Sequence, residues 1–206
     1  MHIEMQPEPE RFYEKVQEKG EAFLASCPRP KGKEWDSHSY WRAIIPDLYN
    51  AYLGICVYTC IWTPFDTGWK TVEHFKPKDR YPQEAYQWNN YRFVCGTMNG
   101  RKGDYEDVLD PFKLQDGWFI MHFPSLQLKP GRQLKDEEKE SVKKTIKRLK
   151  LNESACVRGR KDWLMPYLQK EYGFSFLEKR APFLAHELRR QELIDPDHRM
   201  WAAFGK

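Results

Sequence analysis

The sequence predicts an α+β fold, with helical segments at both ends and short strands between them. Three observations point there. Apolar residues recur at helical spacing in 9–24, in 40–53 and through the last third of the chain. From 55 to 75 the texture changes to short β-branched and aromatic runs bounded by turn residues. Hydrophobic residues make up 40% of the 206 positions and aromatics 15%, enough for a core that needs no disulfide or metal staple.

Each element follows from its own residues. In 9–24, Phe12, Val16 and Phe23 take helical spacing with charges between them, and Cys27-Pro28-Arg29-Pro30-Lys31-Gly32 breaks the pattern. Trp41, Ile44, Leu48, Tyr49 and Tyr52 line the next helical stretch, where Pro46 either interrupts the helix or starts a new one. Asp66-Thr67-Gly68 reads as a hairpin turn joining two strands. A loop over 77–82 leads to a short helix through Ala85, Tyr86 and Trp88. Gly96, Asn99, Gly100 and Gly103 make 94–103 turn-like. A strand over 118–123 follows the turn at Asp116-Gly117, and His122 within it reads as a core residue. In 135–151, Val142, Ile146 and Leu149 share one helix face, with Asn152 as its stop. Leu164, Tyr167 and Leu168 mark a second C-terminal helix, and Pro182 opens a third through Phe183, Leu184 and Leu188.

Charge and cysteine content narrow the setting. The 34 basic and 30 acidic side chains leave a formal charge of only +4, so the distribution of charge matters more than its total. Basic residues cluster at Lys76, Lys78 and Arg80, at Arg101 and Lys102, at Lys143, Lys144, Lys147, Arg148 and Lys150, and at Arg158, Arg160 and Lys161. Taken singly, such clusters are solvated faces. No apolar run approaches the roughly 18 residues of a membrane span, and no signal peptide opens the chain. Five cysteines without a disulfide-scaffold spacing suit a reducing compartment, so a cytoplasmic protein is expected.

The chemistry concentrates in 72–103. Its informative strings are Val72-Glu73-His74-Phe75-Lys76-Pro77-Lys78, Trp88-Asn89-Asn90-Tyr91 and Cys95-Gly96-Thr97-Met98-Asn99-Gly100-Arg101-Lys102-Gly103. Hydrolysis of a phosphodiester requires that water lose a proton, that phosphoryl charge be neutralised and that the leaving oxygen be stabilised. A neutral imidazole serves the first need and a divalent ion the other two. Glu73 and His74, adjacent in a strand, point to opposite faces unless the strand bends or ends there. Pro77, three residues on, is compatible with such an ending. Oxygen ligands, Glu73 and Asn99, suit a hard ion such as Mg2+ or Mn2+. A helix beginning near Arg101 and Lys102 would turn its N-terminus and Lys102 toward phosphate oxygens.

These residues resemble the HNH endonuclease superfamily, whose ββα-metal core surrounds one divalent ion. More narrowly, they are similar to the HNH subunits of Septu-type and retron-associated anti-phage defence systems, which work with an SMC-like or ABC-type ATPase. The resemblance covers 54–111 well and the helical tail loosely. It implies His74 as general base, Glu73 and Asn99 as metal ligands, and Asn90 as the central asparagine that orients the loop carrying the base. It also implies phosphate contacts from Lys102, with Arg101 and Lys76 beside it.

Two departures accompany the resemblance. Many members brace this core with two Cys-x-x-Cys zinc knuckles, whereas here Cys56 and Cys60 stand at the first position and Cys95 with Met98 at the second. Methionine is a poor zinc ligand, so structural zinc is not expected and the three thiols are read as small packed hydrophobes. Glutamate also replaces the commoner aspartate before the histidine.

The resulting expectation is a helical segment over 1–53, an HNH core over 54–111 and a strand-plus-helix region over 112–206 packed with it. The expected activity is metal-dependent hydrolysis of DNA in anti-phage defence, with an ATPase partner and no membrane association. A non-catalytic HNH-like scaffold subunit and an RNA (tRNA) nuclease are the alternatives. The remaining histidines, His2, His38, His122, His186 and His198, lack ligand spacing.

Overall fold

The structure, a computed structural model, describes residues 3–203, so His2 lies outside the described residues. Its α-helices are α1 (Glu18–Ser26), α2 (Lys33–Ser37), α3 (Ile45–Ala51), α4 (Gly96–Lys102), α5 (Asp136–Arg148), α6 (Ser154–Leu168), α7 (Phe174–Arg180) and α8 (Pro182–Arg190). Its strands are β1 (Ile55–Cys56), β2 (Ile61–Trp62), β3 (Lys70–His74), β4 (Tyr91–Cys95), β5 (Phe119–His122) and β6 (Gln127–Pro130). Helices with small antiparallel sheets are the α+β class that the sequence predicts. Among the described residues no helix is long and apolar enough to cross a membrane.

The chain forms two compact units whose limits differ from the segments read in the sequence. One comprises Glu4–Cys56 and Thr63–Glu106; the other holds Ile3, Val57–Trp62 and residues 107–203.

In the first unit, β3 and β4 pair antiparallel, from Lys70 opposite Cys95 to His74 opposite Tyr91. Tyr91, Arg92, Phe93 and Val94 are all buried, so β4 is covered on both faces and carries no polar alternation to announce it. Phe12, Val16, Trp35, Ile44 and Leu48 supply the helical side of this core. A Cβ at Gly20 would lie 2.1 Å from the Tyr86 ring, so glycine allows α1 to sit directly on that ring. Pro46 occupies the first turn of α3, after a 3-10 stretch over Tyr40–Ile44, so it starts a helix rather than interrupting one.

Two expectations in this unit are corrected. Asp66-Thr67-Gly68 is not a hairpin turn between paired strands: β3 pairs with β4, and Gly68 N–H simply closes a turn on Pro64 O at 3.0 Å. The segment 96–102 is the helix α4, not a run of turns. Extended Cys95 leads into it, buried Met98 anchors it, and Gly103 at φ +47° ends it. Arg101 and Lys102 therefore stand at the helix C-terminus, where the backbone dipole repels anions.

In the second unit, β5 and β6 pair antiparallel from Phe119 opposite Pro130 to His122 opposite Gln127. Phe119 and Met121 face inward while His122 is exposed, with Nδ1 2.8 Å from Ser125 Oγ, so strand alternation places it outside the core that the sequence reading gave it. At the start of α5 the Glu138 carboxylate accepts the Lys135 N–H at 2.8 Å. Lys150 at φ +54° follows the end of α5. Asn152 is not the helix stop: its amide brackets Leu128 of β6, accepting from its N–H at 2.7 Å and donating to its carbonyl at 2.9 Å. The helix α7 has no counterpart in the sequence reading.

Candidate active site

His74 ends β3, opposite Tyr91, and the next residue extends the ladder through Phe75 N–H to Asn90 O at 2.9 Å. The imidazole Nε2 lies 2.9 Å from the Ala85 carbonyl oxygen. A carbonyl only accepts, so Nε2 carries the hydrogen and Nδ1 keeps its lone pair. Among the described residues nothing hydrogen-bonds to Nδ1. Tyr91 OH donates to the same Ala85 oxygen at 2.7 Å. The rings of Trp41 and Tyr91 meet the imidazole edge-on, with centroids 4.7 and 5.2 Å away. Burial among these walls penalises the imidazolium and brings the His74 pKa down to about 3, and the charges of Lys78 and Lys102 push the same way. The ring is therefore neutral at pH 7, with an acceptor nitrogen available.

Asn90 fixes the loop that closes over this ring. It is buried, and its Oδ1 accepts the Lys76 N–H at 2.7 Å. Its Nδ2 donates to the carbonyls of Lys76 and Glu84, both at 3.1 Å. Ala85, which holds the imidazole, directly follows this latch. Asn90 is thus a positioning residue whose amide is spent on backbone and does not itself face the imidazole.

Glu73, one residue before His74, turns to the other face of the strand, as alternation requires. Its carboxylate is 2% exposed and lies 2.7 Å from Lys102 Nζ, which is 0% exposed. The same ammonium donates to the carbonyls of His74 at 3.0 Å and Phe75 at 2.7 Å. The ammonium is thus held inside the fold by two backbone carbonyls and one ion pair. This corrects the expected phosphate role of Lys102, which instead fastens the end of α4 to the end of β3. Asn99, one turn earlier on the same helix face, is half-buried and directs Nδ2 toward the Val72 carbonyl at 3.4 Å. Arg101 is half-buried beside it. Lys76 is exposed and paired with Glu84 at 2.6 Å.

The fold thus gathers Glu73, His74, Asn90, Asn99 and Lys102 into one strand–strand–helix arrangement, with Lys76 and Arg101 at its edge. The donor set does not fit a divalent ion as it stands. The carboxylate already carries an ammonium, the other oxygen donor is an amide, and among the described residues no three His, Cys, Asp or Glu side chains cluster to hold a metal. The described cysteines are free of disulfides: Cys56 and Cys60 are buried, and Cys95 is half-buried.

Sequence reasoning missed the groups that hold His74. Tyr91 could have been found from the strand register had β4 been recognised, whereas the Ala85 carbonyl and the Trp41 wall have no local signal. Arg92, opposite Glu73, is buried, donates to the Asn89 and Tyr91 carbonyls at 2.7 and 3.0 Å, and lies over the Phe75 ring.

No protein-family model matches the chain. One stretch of it is similar to a curated protein. Over 56 residues it is 36% identical to Septu protein PtuB of Bacillus thuringiensis. That stretch is 27% of this chain and spans 22% of the Septu protein's length. The similarity is partial, and it belongs to that stretch alone.

Proposed function

We propose that this chain is an HNH-type endonuclease that hydrolyses DNA in anti-phage defence, acting with an ATPase subunit. The observation that carries the reading is the His74 imidazole: neutral, held through Nε2 by the Ala85 carbonyl, and left with Nδ1 as an acceptor. The order of residues that resembles the HNH family and the partial similarity to a Septu protein support the substrate class and the defence setting.

In this mechanism Nδ1 takes a proton from water, whose oxygen forms the new bond to phosphorus in line with the bond that breaks. The leaving oxygen departs as the 3′ alkoxide and is protonated from solvent. A conjugate acid near 3 makes a weak base in the free protein. Anionic phosphate beside the ring favours the imidazolium and strengthens that base when substrate is bound. The resemblance also implies one Mg2+ or Mn2+ ion. Glu73 could hold it only by exchanging Lys102 for the ion, so no step here runs through a metal.

Incubating the chain with supercoiled plasmid and either ion, alone and with the product of any neighbouring ATPase gene, tests the reading. Nicking or linearisation is expected, and His74→Ala should slow it by about 10²- to 10⁴-fold. Cleavage at the parental rate by that variant would overturn the mechanism. A second reading, a non-catalytic subunit that docks on the ATPase, is favoured by the ammonium already bound to Glu73. Stable association with the ATPase and no cleavage under any of these conditions would establish it.

A further inference from the structure

The second unit carries a basic depression at the C-terminal half of α5. Its volume is about 370 Å³, and every residue lining it is charged: Asp107, Lys144, Lys147, Arg148 and Lys150. Lys144, Lys147 and Arg148 share one helix face by their spacing. The opposite wall is fixed to that face. Leu109 N–H donates to Thr145 Oγ1 at 2.9 Å, and Val108 is buried. Arg148 grips the Asp107 carboxylate with two bonds, Nε to Oδ1 at 3.0 Å and Nη2 to Oδ2 at 3.1 Å. This contact holds the Asp107 carboxyl below its usual range.

Among the described residues, the one acid lining the depression is therefore spent on the arginine. Lys150 has Glu153 3.5 Å away, on a side chain outside the lining. Lys144 and Lys147 are exposed and form no ion pair or hydrogen bond among the described residues. Cations in a last helical turn are favoured by the dipole, which accounts for Lys147 and Arg148. It does not account for Lys144 and Lys150 converging on the same walled space.

We infer that this depression binds phosphate groups of a nucleic-acid backbone. The lining has no aromatic or aliphatic side chain to receive a peptide anchor, and protein interfaces depend on such anchors. Flexible lysine point charges against a fixed wall suit sequence-independent contact with phosphates. The inference takes its substrate class from the nuclease reading but places the grip on α5, an element that carries none of the residues around His74.

The test is fluorescence anisotropy of the whole chain with a labelled DNA duplex, and with a single strand of the same sequence, over a salt series. A Lys144→Glu/Lys147→Glu variant should bind on the order of tenfold more weakly at low salt, and its salt slope should be shallower by about 2. A control, Lys139→Glu/Lys143→Glu, changes equal charge on the same helix outside the depression and should keep the parental slope. Circular dichroism confirms that both variants fold. Parental binding by the first variant overturns the inference, as does an equal loss in the control, which would mean bulk charge alone. Loss of a protein partner with DNA binding intact would assign the depression to an acidic protein surface and also overturns it. If the first variant loses DNA binding while the parent cuts no plasmid, the depression stands and the nuclease reading falls. If plasmid cleavage depends on His74 but the first variant binds as the parent does, the reverse holds.

Discussion

The two basic regions of this molecule use lysine in opposite ways. At the end of α4 the Lys102 ammonium is sealed from solvent, paired with Glu73 and shared by two strand carbonyls. At the end of α5, Lys144 and Lys147 stand exposed with no bonded partner among the described residues. In the sequence both look like basic punctuation after a helical or turn-like stretch. Desolvation separates them. A charge that has left water must keep its partner, while a charge still in water is free to exchange solvent for a phosphate.

The sharpest way to break this comparison is to neutralise a lysine in each region. Lys102→Met strands a buried carboxylate and should cost about 3–5 kcal/mol in a urea titration. Lys144→Met should stay within about 0.5 kcal/mol of the parent. Combining Lys102→Met with Glu73→Gln should recover much of the loss; a Lys102→Met chain as stable as the parent would show that the pair is not a brace.

A smaller effect is expected at the loop latch. Asn90→Ala leaves the Lys76 N–H without its acceptor, at a cost of about 1–3 kcal/mol. Limited proteolysis within 76–84 should accelerate in that variant, and unchanged cleavage kinetics would show that the loop is held elsewhere.

The last effect is confined to acid and lies in pH dependence. His74 is held to about 3, below the ordinary 6.5, so between those values the unfolded chain takes up a proton that the folded ring refuses. Its contribution is therefore intact above about pH 6.5 and declines as pH falls toward 3. In the metal-free chain, His74→Gln should lose less stability than the parent over that window. Parallel pH curves for the two would show that His74 does not carry this proton linkage.

How much was legible follows from the range of the interactions. The α+β class, α5 and the start of α8 at Pro182 rest on local periodicity and proline geometry, and these the sequence displays; at Pro46 it leaves a broken helix and a new one equally open. Gly96, Thr97, Asn99 and Gly100 are poor helix formers, so α4 exists because Met98 and Lys102 are buried against distant residues. No local pattern reports that. Among the site residues, the opposite facing of Glu73 and His74 was readable from alternation along the strand they end. The pairing of Lys102 with Glu73 was not, because it depends on α4 being a helix. The Ala85 carbonyl is backbone and has no residue signature at all.

The Asn90 latch has a consequence for engineering. One side-chain amide ties Lys76 to Glu84, so the chain between them is closed at its base independently of its own length. Residues 79–81 form a tip on a fixed socket, tied outward through Arg80 to Glu106. A library that varies that tip can change what the protein touches while the imidazole stays in register with its carbonyl.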